Sequence, residues 1–341
     1  MTHHIDHFRS LLDPRELEII DRVEAMNSKY IAFGRDENLA SELRILIASL
    51  AARRSVHADK RRILTLVGQS GAGKSFALKR HLSRLKQLAP YADEDNVRID
   101  PILCFDSPSP CLQKSIAQQG LTEMGLSSRP SDNDSEVWDD FRKALRQFKI
   151  QLLVVDEAQD AIETANRLQE ERVADALKKV TQMADWPVRL ILCGTREIGD
   201  FVQVHDELRN RNRFVFFDRV NPEVDFELLI DVVRMIIEVH ASLIAHPDLL
   251  TGDFVGRLAH AYTYDLGTII KEIRAAVELA LYADRDQVIL EDFITGFRSA
   301  NANVRNVFTT EYYHDIDVRE DKGPGDLKSK RGTRRRSKRD E

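Results

Sequence analysis

The chain has 341 residues, 43% hydrophobic and 31% charged, with 15 glycines and 10 prolines; this is enough for one large or two small domains and excludes collagen-like and wholly disordered classes. No apolar run approaches the roughly 20 residues of a membrane span, MTHHIDHFRSLLDPRE lacks a signal-peptide core, and Cys104, Cys111 and Cys193 are too scattered for a disulfide framework or a zinc site. The net charge of −6 divides into +6 on residues 328–341 and −12 on the rest, which excludes a uniformly basic body and leaves the tail either to a polyanionic partner or to solvent.

In chain order, Asp13-Pro14 with Glu16 gives a helix start with cap, N1 proline and N3 glutamate. The spacing of Leu17, Ile20 and Val23 then predicts a helix over 13–26. Leu39, Leu43, Leu46, Ile47 and Leu50 share one stripe of a second helix over 36–54. These two form an N-terminal helical segment, 1–60. His3, His4 and His7 lack a partner acid or cysteine and read as a flexible end rather than a metal site.

From Arg62 short apolar runs alternate with amphipathic ones. Strands are expected at 62–67, 101–105, 151–156, 188–193 and 213–217, and helices at 74–88, 110–124, 135–148 and 166–184. Runs apolar on both faces and joined by crossover helices predict an α/β core, 61–221, with a parallel sheet between helices. Cys104 and Cys193 then read as buried, reduced thiols. Lys79, Arg80, Arg84 and Lys86 on the first crossover helix read as a solvated face. After Asn221-Pro222 helices are expected at 224–245, 253–262, 267–283 and 290–299, an all-α domain over 222–302. A polar extension, 303–341, follows, with 318–341 read as a disordered tail.

Gly68-Gln69-Ser70-Gly71-Ala72-Gly73-Lys74-Ser75 fits GxxxxGK[ST] between a strand and a helix. Its glycines let backbone N–H groups curl around phosphates, and the helix N-terminus adds a favourable dipole. Lys74 would reach the β- and γ-phosphates of ATP, and Ser75 would ligate Mg²⁺. LLVVDE at 152–157 ends a buried strand beside that loop. Asp156 would support Mg²⁺ through water, and Glu157 would activate a water for attack on the γ-phosphate.

The phosphate loop, Asp156-Glu157, a strand ending in Gly194-Thr195, an arginine-bearing segment and a helical lid together resemble an AAA+ ATPase. Tyr30-Ile31 with Gly34-Arg35, LLVVDEAQD, CGTRE (193–197), ELRNR (207–211) and LGTIIKEI (266–273) resemble the TniB/TnsC group of transposition ATPases, related more distantly to MuB. The resemblance implies a P-loop three-layer sandwich with a C-terminal all-α lid. It implies Thr195 as the sensor-1 group and Arg211 as a trans-acting arginine, with Arg209 and Arg213 as the other candidates. The sensor-2 arginine is missing, and Lys271 is the substitute on offer. The activity implied is weak or assembly-stimulated ATP hydrolysis. The partners implied are duplex DNA with little sequence preference, a transposase, a target-selection protein, and further copies of the chain in a ring or filament. A helicase loader and a nucleotide-gated binding switch are the other readings of the same residues.

Overall fold

The computed structural model describes residues 2–51, 62–108, 114–128, 133–163, 165–183, 185–186, 188–301 and 304–318. It divides into an α/β unit, 31–219, and a helical unit built from 1–30 and 220–341.

Five strands form the sheet of the α/β unit: β1 (Ile63–Gly68), β2 (Ile102–Asp106), β3 (Leu152–Asp156), β4 (Arg189–Gly194) and β5 (Asn212–Phe217). All are parallel, in the order β2-β3-β4-β1-β5. Each strand lies within one residue of its expected span. The central strands are apolar on both faces because helices cover both, with β3 and β4 buried along their whole length. The helices of one face are α5 (Ser115–Glu123), α6 (Asp134–Gln147), α7 (Arg167–Thr181) and α8 (Arg196–Val204). They enclose a core with Leu103, Phe105, Leu153, Val155, Leu190 and Leu192. On the other, α3 (Gly34–Ala48) packs on β1 and β5, and α4 (Lys74–Ser83) on β1 and β4. Right-handed crossovers between parallel strands require this division.

Because the strands are parallel, their C-terminal ends share one edge. Asp106 is in register with Asp156, Val67 with Gly194, and Gly68 with Phe217.

Several expectations are corrected. Cys104 is exposed, unlike buried Cys193: β2 is an edge strand, and only its Leu103 and Phe105 face turns into the core. The helix expected over 74–88 ends at Ser83 and resumes as one 3₁₀ turn at Lys86–Leu88. The expected helix ends at 52–54 and 110–113 lie outside the described residues, as do Cys111 and the tail 319–341. His7 stands in a helix, α1 (Thr2–Arg9), whose Arg9 pairs with Asp21, not in a flexible end.

In the helical unit, α2 (Pro14–Ser28) begins with the expected capping box, Asp13 accepting from Arg15 N and Glu16 N. The segment 1–60 is divided: α2 packs on α12 (Leu266–Tyr282), with Arg274 donating to the Lys29 carbonyl, whereas α3 joins the sheet. The helix expected over 224–245 is α10 (Phe226–Arg234), then one π turn over Met235–His240, then a strand, Ile244–Ala245, paired with Gln287–Val288. Ser242, at φ 55°, breaks the helical path. α11 (Gly252–Ala261) and α13 (Leu290–Ala300) complete the unit.

The extension after 303 is not wholly polar in its role. Val307, Phe308, Tyr313 and Ile316 are buried. Arg257 donates to the carbonyls of Val307 and Thr310 and lies 4.7 Å over the Tyr313 ring, while His260 meets the Ile316 carbonyl at 2.9 Å. Among the described residues no helix is long and apolar enough to cross a membrane.

Candidate nucleotide site

The phosphate loop runs from the end of β1 into α4. Gly71 and Gly73 have φ of 87° and 83°, a region that costs a residue with a Cβ about 1–2 kcal/mol. Gln69, Ser70 and Gly71 form an exposed crest, Ala72 is buried, and Ala72 N–H donates to the Gln69 carbonyl. Gly68 has a different reason to be glycine. A Cβ there would stand 2.7 Å from Phe217 Cβ and 2.8 Å from the Phe217 carbonyl oxygen.

Lys74 is only 4% exposed. Its Nζ donates to the carbonyls of Gly68 and Gln69 at 2.9 and 2.8 Å, which holds the ammonium inside the loop. Ser75 follows, half-buried in the first turn of α4.

Arg35, in the first turn of α3, donates to the Ala72 carbonyl at 3.0 Å and stacks 4.5 Å over the Phe217 ring. Such a cation–π contact contributes about 1–2 kcal/mol. Asp36 receives the Phe33 N–H and meets His81 of α4 at 3.1 Å. Gly34-Arg35 thus belongs to the wall of the loop. No local pattern in the sequence marks Arg35 for this place.

Asp156 ends β3, buried, with its Oδ1 accepting from Glu157 N–H at 3.0 Å. Burial, and next the Asp156 charge, push the Cys193 thiol upward, so it stays protonated. Glu157 adopts φ 47° and ψ 39°, a left-handed conformation that turns the chain sharply off the strand. The carboxyl of Asp160 is raised, first by burial and then by Glu157 and Glu163. Thr195 follows β4 and stands at the N-cap of α8. Its hydroxyl hydrogen-bonds Glu197 and holds that carboxyl below the usual range. Gln159, which no sequence motif singles out, lies between Glu157 and Thr195.

The strand edge therefore brings together the loop, Asp156, Glu157 and Thr195. Arg211 is not with them. It precedes β5, and its carbonyl accepts from Arg62 N–H and Ile63 N–H at the opposite end of β1. Its guanidinium donates to the Glu207 carbonyl and, with the Gln182 amide suitably turned, to that side-chain oxygen. Arg209 pairs with Asp206 within the short helix α9 (Asp206–Arg209), and Arg213 is exposed on β5. Lys271 is exposed on α12 of the helical unit. Beside the loop, a groove of about 570 Å³ is lined by Gly68, Gln69, Arg196, Phe214, Phe216 and Arg219 among others.

Residues 24–221 match the family of bacterial TniB proteins. The chain belongs to the TniB family. A comparison with curated proteins finds no match. Among solved structures, this TniB protein is similar to Cdc6p from Pyrobaculum aerophilum, at TM-score 0.55 and 14% identity over 80% of this chain and 69% of that one. It is equally similar to the Aeropyrum pernix ORC1 protein, solved in complex with DNA, at TM-score 0.55 and 16% identity over 82% and 69%. The Aeropyrum pernix ORC2 protein, solved with ADPNP and ADP, gives TM-score 0.53 and 13% identity over 80% and 70%. These likenesses show the fold: the TniB chain has the AAA+ architecture.

Proposed function

We propose that this TniB-family protein is an Mg²⁺-dependent ATPase that regulates DNA transposition, assembling on target DNA with ATP and dispersing on hydrolysis. The observation that carries the reading is the shared strand edge, where the Lys74 loop stands beside Asp156 and Glu157. Lys74 would neutralise the β- and γ-phosphates, and the loop N–H groups with the α4 dipole would hold them. Ser75 and Asp156 offer the hard oxygen donors that Mg²⁺ prefers, so the residues fit that ion. When bound, it would neutralise charge developing on the phosphates. Glu157 would orient and deprotonate the attacking water, and Thr195 would read the γ-phosphate.

The finger role belongs to the segment before and within β5. Arg211, Arg209 and Arg213 lie far from their own loop, which supports a role in a neighbour's site. Arg211 and Arg209 are engaged within their own chain, so Arg213 stands beside Arg211 as the residue to test.

The experiment is sedimentation and electron microscopy of the protein with random-sequence duplex, with ATP, ADP or neither, and then with a candidate transposase. ATP-dependent assemblies on DNA that capture the transposase support the reading. ATP-dependent assembly on a helicase instead would favour the loader. Nucleotide-dependent partner binding without turnover would favour the switch.

A further inference from the structure

Gln159 stands in the first turn after β3, half-buried, outside the phosphate loop, the acid pair and the arginine segment. Its amide nevertheless joins two strand ends. Nε2 donates to Glu157 Oε2 at 2.7 Å, and Oε1 accepts from the Thr195 backbone N–H at 3.2 Å. A carboxylate only accepts and a backbone N–H only donates, so these partners fix which end of the amide is which. Nε2 also reaches Asp160 Oδ1 at 3.3 Å, placing donor hydrogens between two carboxylates.

Room for this bridge depends on the neighbouring strand. A Cβ at Gly194 would lie 2.4 Å from Gln159 Oε1 and 3.0 Å from Ile198 Cγ2. Gly194 is not in the left-handed region, so space rather than backbone conformation explains the glycine. Glu157, in contrast, is in that region, and its side chain needs a partner to keep one direction.

We propose that Gln159 is a positioning residue that clips the Glu157 carboxylate to the end of β4, so that the water-activating group and Thr195 move together. This rests on the ATPase reading above. A water-activating carboxylate misplaced by about 1 Å loses on the order of 10²-fold in rate, whereas phosphate binding by the Lys74 loop does not pass through Gln159.

The test uses the full chain with Mg²⁺, ATP and duplex DNA. Gln159→Met keeps the volume and removes all three polar contacts. It should lower kcat by about 10- to 100-fold, as loss of an orienting partner does, while KM and the equilibrium ATP affinity stay within about threefold. Gln159→Asn, an amide on a shorter arm, should recover part of the loss. Gly194→Ala should reproduce the loss by displacing the amide. In a Glu157→Gln background Gln159→Met should cost nothing further, because residues acting as a unit are not additive. Without nucleotide, hydrogen exchange at the Thr195 amide should quicken about tenfold or more in Gln159→Met. Wild-type kcat in Gln159→Met, an equal loss in both Glu157 backgrounds, or unchanged Thr195 exchange would overturn the proposal. A wild-type protein that binds ATP but never turns it over removes the ATPase reading and this role with it, and the wild-type control alone distinguishes that case.

Discussion

In the α/β unit the polar groups stand where parallel strands end, around a loop held open by glycines. In the helical unit, groups of the same types are consumed in holding chain to chain. Arg257 and His260 bind the segment after 303, and Arg285 binds the Gln287 carbonyl and Asp292. The difference lies in direction. A parallel sheet gathers five strand ends on one edge, so side chains far apart in sequence meet there. The helices of the other unit spend such groups on neighbouring carbonyls, carboxylates and rings.

The sharpest way to break this contrast is to remove charge from the strand edge. Lys74→Ala should abolish ATP binding measured at equilibrium, and Glu157→Gln should keep binding and lose phosphate release. Normal turnover in the Glu157 variant would remove it from the chemistry. Next come the arginines. Alanine at the finger residue should leave ATP binding intact and slow hydrolysis by about 10³–10⁵, and mixing with Glu157→Gln protein should restore part of the rate. Comparing Arg211→Ala with Arg213→Ala decides between them, and full, concentration-independent turnover by a monomer would exclude a trans role.

Smaller effects probe the units separately. Phe308 is buried among Phe254, Phe293 and Phe297. Phe308→Ala should cost about 3–5 kcal/mol and quicken hydrogen exchange in α11–α13 while β3 and β4 stay protected. Equal loss of protection in both would mean that they unfold as one. Gly68→Ala should cost about 1–3 kcal/mol by overpacking against Phe217 and reverse the pattern, read by calorimetry and by weakened ATP binding. Removing residues 328–341 should flatten the salt dependence of duplex binding, since the tail's charge acts by counterion release. Equal slopes would assign the tail to something other than DNA.

Strands apolar on both faces, a loop motif joining strand to helix, and an acid pair ending an apolar run are all local patterns, so the fold and the place of the candidate nucleotide site were legible in the residues. The missed features depend on register and layering. Gln159 meets Thr195 only because β3 and β4 are neighbours. Arg35 meets Phe217 only because α3 crosses β5, and Cys104 is exposed only because β2 is an edge. Residues 304–318 read as polar text because their four buried side chains are spaced for contact with α11 and α13, not for any helix or strand of their own. Nothing in Lys29–Phe33 marks the passage from one unit to the other, since it carries no glycine or proline.

The contact of Gly68 with Phe217 has a mechanical side. No side chain cushions the phosphate loop from β5 at Gly68, and Arg35 lies over the ring of the same Phe217. The six residues of β5 span about 20 Å, with Arg211 and Arg213 at one end and Phe217 at the other. Close-packed interiors transmit displacement rather than absorb it. The strand is thus a strut: a force on its arginine end would reach the loop at Gly68, and a shift of the loop would reach the arginines.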